Sequence, residues 1–447
     1  MLRILRPRCT NAPRVNGMRQ LAKKLSLFRH SSHTAASHSA PSVPDQPSAH
    51  TTPRWAEAEE DPGDYNPEAR GYLPVNVGDL LGQRYSVLRK LGWGIYSTVW
   101  LVQDTQTVSQ AYAAAKVMNR MGTEAHEEGL LHELEFLQRI GEDSLHPGRA
   151  HVVQLREYFH QGGTGGNHLC IIMEPLLQDL RTFSLRWRRR LCPPALVRLL
   201  ARQIVLGIQY LHDECNIIHT DIKPGNIMIV PPEGDLSFLS EAFSGTPETT
   251  IAERPDGRPI TRLRSCPIEY PIPEFDPQDL ASFEPWRGFK VKIGDFGVAW
   301  RADKVSEHPT GIIQSVAMRA PEVALGAGWG KPADIWSLGC TLYELHMGQS
   351  LLPENIAGVS VASLHWMCFG DYPRELIQRG KYSHIFYKED GTLRVYPPSQ
   401  RPYHINIFRR NAPDAALFSD FLGLTFKLHP DERATCAELL AHPWLNP

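Results

Sequence analysis

His219-Thr220-Asp221-Ile222-Lys223-Pro224-Gly225-Asn226 lies between two apolar runs and holds a carboxylate, a lysine two residues later and an amide five residues later. That spacing on one short loop suits phosphoryl transfer. Asp221 can accept the proton of an attacking hydroxyl, Lys223 can neutralise charge on the group in flight, and Asn226 offers a neutral oxygen to Mg2+. Asp295-Phe296-Gly297 follows the apolar run Val291-Lys292-Ile293 and adds an anionic second ligand for the cation. The tripeptide alone occurs often by chance. Placed after the 219–226 loop, it carries weight.

Upstream, Leu91-Gly92-Trp93-Gly94-Ile95-Tyr96-Ser97-Thr98-Val99 sits between two short strand-like runs. Glycines at 92 and 94 let a backbone turn close over phosphates, although any hairpin can carry such a pair, and Ser97 stands where a third glycine is expected. Lys116 follows in Ala113-Ala114-Ala115-Lys116, in the middle of an apolar strand. A lysine there needs either an anionic partner or a route to water. Glu133, on the next helical pattern, is the natural partner.

Composition limits the alternatives. The chain has 447 residues, 42% hydrophobic and 21% charged, which is globular, and length over about 150 suggests one large two-lobed domain or two to three ordinary ones. Lys+Arg 47 against Asp+Glu 49 gives −2, so no global charge points to nucleic acid or a membrane surface. The most apolar long segment, Pro194 to Leu211, is broken by Arg198, Arg202 and Gln203, and reads as an amphipathic core helix. The eight cysteines are scattered without a CxxC pair, as in reduced structural thiols rather than a zinc site or disulfide scaffold.

The chain divides unevenly. Residues 1–64 contain no acidic residue before Asp45, carry eight spread Arg and Lys ahead of it, and crowd Ser and Thr from Ser31 to Thr52. That is the composition of a mitochondrial transit peptide or of a basic disordered tail, and in either case a segment outside the fold. Residues 65–84 read as a lead-in. Between 85 and 176, strand patterns at Tyr85–Leu91, Ser97–Gln103, Ala111–Met118, Val152–Phe159 and Leu169–Pro175 surround one helical pattern, Glu127–Ile140. From 177 to 447 helical periods dominate at 194–213, 333–347, 415–426 and 435–441. Residues 231–289, rich in Pro, Gly, Ser and Glu, read as a largely disordered insert. The expected fold is α+β, with a small antiparallel-sheet lobe and a larger helical lobe.

Taken in order, the Gly loop, strand lysine, helix glutamate, 219–226 loop, DFG, and Ala320-Pro321-Glu322 resemble the protein kinase signature set. Asp334-Ile335-Trp336-Ser337-Leu338-Gly339 is similar to the helix whose Asp anchors the catalytic loop. Arg433 is similar to the arginine that pairs with the APE glutamate, here Glu322. Leu91-Gly92-Trp93-Gly94, Ser97-Thr98-Val99-Trp100-Leu101, Thr220, the lead-in Gly71-Tyr72-Leu73-Pro74-Val75 with Gly78-Asp79-Leu80, Gly380-Lys381-Tyr382-Ser383 and His442-Pro443-Trp444-Leu445-Asn446 narrow the resemblance to SR-protein kinases. It spans Tyr65 to Pro447. It implies a serine/threonine kinase that uses ATP and Mg2+ and acts on serines of Arg-Ser-rich splicing factors. ATP binding then falls to residues 91–99, Ala114, Lys116, Met173 and Glu174, with Glu133 positioning Lys116. Metal binding falls to Asn226 and Asp295, and catalysis to Asp221 and Lys223.

Three departures matter. Thr220 replaces an arginine that in many kinases pairs with an activation-segment phosphate, and Ser306, Thr310 and Ser315 are the only hydroxyls of that short segment. Activity without its phosphorylation is expected. Ile356 to Leu364 has no carboxylate where SR-protein kinases often carry an acidic docking stretch, and Val316-Ala317-Met318 makes the acceptor pocket more apolar. A pseudokinase scaffold and an active kinase with substrates lacking Arg-Ser repeats are the alternatives. The resemblance implies cytoplasm and nucleus, the N-terminal composition mitochondria. A monomer without direct nucleic-acid contact is expected.

Overall fold

The strand patterns of residues 85–173, joined by two residues of the lead-in, build a six-stranded sheet in the computed structural model, which describes residues 58–107, 111–163, 165–232, 246–271, 286–308, 311–352, 360–409 and 414–446. Its strands are β1 (Leu80–Leu81), β2 (Tyr85–Gly94), β3 (Ser97–Asp104), β4 (Tyr112–Met118), β5 (Leu155–Gly163) and β6 (Gly166–Met173), in the order β1-β2-β3-β4-β6-β5 and antiparallel throughout. Side chains alternate between faces, so register decides what each face carries. Val99, Lys116 and Ile171 lie opposite one another, as do Leu101, Ala114 and Met173, and these two rows share one face. Leu101 and Ile171 belong to the main core that runs on into the helical lobe. The other face carries Val87, Trp100, Val102, Ala113, Ala115, Val117 and Ile172, packed with Val75 and Leu263. Covering on both faces explains why β4 reads as a nearly continuous apolar run rather than an alternation.

Two helices follow β4, not one. α1 (Arg120–Glu127) and α2 (Glu133–Gly141) replace the single helix expected at 127–140. Gly129 adopts φ +68, the left-handed conformation that closes a helix, and its amide donates to His126. Asn119 caps α1 by accepting from the Gly122 amide, a start signal the sequence reading missed.

The helical lobe is organised by α3 (Leu180–Ser184), α4 (Pro194–Asp213), α5 (Pro321–Leu325), α6 (Pro332–Met347), α7 (Val361–Phe369), α8 (Ala415–Thr425) and α9 (Cys436–Ala441). α4 and α6 are the buried pillars, and Trp336, Trp444, Phe418 and Phe421 fill the space around them. None of the described helices is long and apolar enough to cross a membrane. Three short antiparallel pairs complete the lobes: β7 (Ile217–Ile218) with β12 (Trp300–Arg301), β8 (Ile227–Ile229) with β11 (Val291–Ile293), and β9 (Thr249–Glu253) with β10 (Pro259–Leu263).

The β9–β10 hairpin corrects one expectation. Residues 246–271 of the 231–289 insert are folded, and the hairpin docks on the small lobe through Ile260 and Leu263. Burying each of these side chains contributes roughly 1.5–3 kcal/mol, and such docking was invisible in a composition rich in Pro, Gly and Ser. The 1–64 boundary is corrected too. Glu59 and Glu60 are buried and paired with Lys90, so the fold begins by residue 58. The remainder of the targeting-like segment, residues 233–245 and 272–285 of the insert, Thr310, and 356–359 of the acid-free stretch lie outside the described residues.

Candidate active site

The 219–226 loop runs from β7 to β8 and is pinned from below by one buried carboxylate. Asp334, near the start of α6, accepts from the His219 amide (2.8 Å) and the Thr220 amide (2.9 Å), while His212 Nε2 lies 2.9 Å from its Oδ2. Thr220 is held at φ +67, a strained conformation for a β-branched residue that costs roughly 1–3 kcal/mol. Its hydroxyl donates to Val298 O (2.7 Å), so the threonine bonds directly to the segment after DFG. His219 Nδ1 accepts from the Asp221 amide (3.2 Å), which leaves Nε2–H to donate to Gly294 O (2.9 Å) and specifies the tautomer. The imidazole also packs edge-on against Phe296, ring centroids 5.1 Å apart.

These restraints aim three side chains at one point. Lys223 Nζ donates to Asp221 Oδ2 (2.6 Å), and Asn226 Nδ2 donates to Asp221 O (2.9 Å) and Oδ2 (3.1 Å). Asn226 spends its amide nitrogen on Asp221, and its Oδ1 is the atom left to serve a cation. The Gly294 amide donates to Asn226 O (2.9 Å) and brings DFG beside the loop. Asp295, also at positive φ (+61), has a half-exposed side chain and bonds Lys116 Nζ at 3.1 Å.

Lys116 reaches from β4 to both lobes. Its Nζ donates to Glu133 Oε1 (2.6 Å) as well as to Asp295 Oδ1. Burial alone would lower the ammonium, but the two carboxylates outweigh it and hold Lys116 charged above its usual range. The Lys116 charge in turn pulls Asp295 down to about 2, against burial. Burial pushes Glu133 up, and Lys116 opposes it. One neutral and one anionic oxygen, both hard donors, fit Mg2+, with Lys116 holding Asp295 well below the ordinary carboxylate range.

The glycine-rich loop is the hairpin between β2 and β3, turned by Ile95 and Tyr96. Neither Gly92 nor Gly94 has a positive φ, and a Cβ on either would meet no protein atom within 4 Å. The turn itself therefore does not require these glycines. What their missing side chains leave is open space over the strand, a fit for a phosphate approaching the backbone. Tyr72 OH donates to Gly94 O (2.6 Å), and Asn119 holds Ile95 O through Nδ2 (2.8 Å) and Tyr96 O through its amide (2.8 Å). Sequence reasoning missed both tethers. Asn119 was findable as a capping residue three positions after Lys116. At the far end of the cleft Met173 pairs with Ala114, but the Glu174 carboxylate is spent on Lys292 Nζ (2.6 Å) and the Gln154 amide (2.8 Å). The Glu174 amide is spent too, donating to Gln154 O (3.2 Å).

The segment after DFG is supported by bonds from side chains to backbone and hydroxyl groups. Gln314, at φ +65, donates to Ala333 O and Ser337 Oγ (both 2.8 Å) and accepts from the Ala320 amide (2.9 Å). Arg319 donates to Gln314 O (2.9 Å). Below it, Arg433 makes a two-pronged bond to Glu322 (2.7 and 2.6 Å), with both side chains fully buried.

The protein kinase domain family model matches residues 85–238 and 284–445. The serine/threonine-protein kinase SRPK of Physarum polycephalum is 30% identical over 402 residues, covering 86% of this chain and 91% of that protein. This chain belongs to the SR-protein kinase family. SRSF protein kinase 3 of Mus musculus is 28% identical over 524 residues, covering 88% of this chain and 91% of its own. A crystal structure of a kinase domain superposes with a TM-score of 0.58 at 23% identity over 84% of this chain and 98% of that one, which shows the shared fold. The SR-protein kinase described here is thus a serine/threonine protein kinase, and its residues 58–84 and 239–283 fall outside the kinase family model.

Proposed function

We propose that this SR-protein kinase transfers the γ-phosphoryl group of ATP to serine in Arg-Ser-containing proteins, the splicing-factor class that the name SRSF protein kinase 3 specifies for one relative. The observation that carries the reading is that Lys116, paired with Glu133 in the small lobe, bonds Asp295 of the other lobe, whose neighbour Gly294 is bonded to Asn226 on the loop where Lys223 and Asn226 bond Asp221. When bound, MgATP supplies the transferable group and the cation charge. Lys116, held by Glu133, orients the nucleotide phosphates, and the 91–99 loop covers them with backbone amides. Asn226 and Asp295 hold the cation. Asp221 orients the substrate hydroxyl and takes its proton at the carboxylate, and Lys223, 2.6 Å from Asp221, neutralises charge on the equatorial oxygens. Of Val316-Ala317-Met318, at the end of the activation segment, Ala317 and Met318 are buried in the core, and Val316 is the exposed one that can offer the acceptor an apolar contact.

A second reading, a kinase for substrates without Arg repeats, is favoured by the carboxylate-free stretch Ile356–Leu364. The test is radiolabelled phosphate transfer from MgATP to an Arg-Ser repeat peptide, its Lys-Ser counterpart and a general basic protein, with Asp221→Ala as control. Transfer that prefers the Arg-Ser peptide and is lost in the control supports the first reading. Equal transfer to all three supports the second, and nucleotide binding without transfer would mean a scaffold.

A further inference from the structure

Two stretches outside the kinase family model, one before the small lobe and one within the insert, meet on the strand that ends in the glycine-rich loop. Their meeting point is Lys90 on β2, two residues before Gly92. It is 1% exposed. Its Nζ donates to Glu59 Oε2 (2.8 Å), to the Glu60 carboxylate and, more distantly, to Leu263 O (3.4 Å). Glu59 accepts from the Ser265 amide (2.6 Å) and hydroxyl (2.8 Å), and Glu60 accepts from Tyr65 OH (2.5 Å). From the hairpin side, Arg262 Nη1 donates to Glu60 O (2.9 Å), and the Cys266 amide donates to Lys90 O (2.9 Å).

A strand lysine buried this completely is costly unless its charge is matched and its hydrogens are used. Neither stretch satisfies it alone. Residues 58–84 supply both carboxylates and Tyr65, which orients Glu60, while the insert supplies Ser265, which orients Glu59, and the Leu263 carbonyl that faces Lys90. The apolar contacts are divided the same way: Tyr65 and Tyr72 of the lead-in pack with Ile260 and Ala252 of the hairpin. The assembled lead-in then touches the loop itself, since Trp93 Nε1 donates to Ala58 O (3.2 Å) and Tyr72 OH donates to Gly94 O.

We propose that Lys90, Glu59 and Glu60 are positioning residues for nucleotide: they lock the lead-in and the insert hairpin into one brace on the glycine-rich loop, and the ATP affinity of this kinase depends on that brace. The proposal rests on the ATP reading above. A two-glycine hairpin with open space around it has many conformations to lose when it closes over phosphates, and a brace that restricts it beforehand lowers the cost of binding. The peptide side of the cleft, built from the helical lobe, gains nothing from it.

The experiment measures, on the full chain, affinity for a non-hydrolysable ATP analogue with Mg2+ by calorimetry, KM for ATP and for peptide, and amide hydrogen exchange over 91–99. Lys90→Met is expected to weaken nucleotide binding about tenfold and speed exchange over 91–99, with peptide KM within about twofold of the parent. The triple variant Lys90→Met, Glu59→Gln, Glu60→Gln is expected to recover affinity to within about threefold, because it buries no lone charge and keeps acceptors for Ser265 and Tyr65. Arg262→Met leaves the ion triad intact and removes only the reach of the hairpin to Glu60, so it decides the matter should Lys90→Met fail to fold. Its expected signature is a raised nucleotide Kd with peptide KM unchanged. Folded Lys90→Met and Arg262→Met proteins that both bind nucleotide like the parent, even with a lower melting temperature, would overturn the proposal, because a purely structural role moves stability alone. A parent chain that binds no nucleotide would overturn the ATP reading, and the proposal with it, before any substitution is made.

Discussion

The catalytic loop and the glycine-rich loop face each other across one cleft but are held by different means. The catalytic loop hangs from Asp334, with His219 clasping Gly294 and Thr220 clasping Val298, all within the two halves of the kinase family model. The glycine-rich loop is tied by Asn119, within that model, and also by Tyr72 and the Lys90 assembly, whose partners lie largely outside it. Chemistry needs fixed oxygen and nitrogen atoms, and buried carboxylates bonded to backbone amides provide them with little conformational freedom. Nucleotide entry needs a loop that moves, and stabilising it from added segments adjusts its mobility without disturbing the chemistry.

The comparison can be broken or sharpened at several points. The largest expected effect is on transfer itself: Asp221→Asn should slow it about 10²–10⁴-fold with nucleotide affinity preserved, as single-turnover assay and calorimetry would read. Retained transfer would mean that the catalytic loop does not carry the chemistry. Next comes Glu322→Ala, which strands the buried Arg433 charge. A loss of about 3–5 kcal/mol in denaturant unfolding is expected, and a loss below about 1 would show that the helical lobe is not anchored there. Thr220→Val removes one hydroxyl bond to the segment after DFG and should cost about 0.5–1.5 kcal/mol, read by the same unfolding measurement, and should lower the turnover rate while leaving KM for ATP alone.

Replacing Ser306, Thr310 and Ser315 together by Ala should leave the rate of bacterially produced, unphosphorylated protein within about threefold, since Gln314 and Thr220 support the segment without a phosphate. Dependence on prior phosphorylation would remove that explanation. The smallest effect is a titration. Lys116 depresses Asp295 to about 2, below the ordinary 3.8, so their contact is fully present above about pH 4 and is lost as pH falls toward 2. Carboxylate NMR shifts of Asp295 should follow that window and move up in Lys116→Met.

Most of the catalytic side was legible because its chemistry sits in short continuous stretches. Asp221, Lys223 and Asn226 fall within six residues, and the apolar runs around them became β7 and β8. The Lys116–Glu133 pair was legible for a different reason: a lysine amid alanines needs an anion, and the next helix offered one. What escaped reading depends on contacts distant in sequence. Nothing local marks Glu59 and Glu60 as partners of Lys90, and β9–β10 lies in a stretch whose composition mimics a solvated loop. Helix boundaries failed at Gly129, where one backbone conformation decides between one helix and two. Glu174 shows the converse limit, since alignment to a motif names a position but not which atoms of the residue are free.

The span of the Lys90 assembly sets a timetable for synthesis. Arg262 and Glu60 are 202 positions apart, so at about 5–20 residues per second the ribosome needs roughly 10–40 s between making the first and the second. For that interval the nascent small lobe carries the Lys90–Glu59–Glu60 triad without Ser265 and Arg262 to hold it, and an apolar sheet face without Leu263 to cover it. Chaperones that bind exposed apolar strands therefore have a window on this kinase that closes only when the hairpin leaves the exit tunnel.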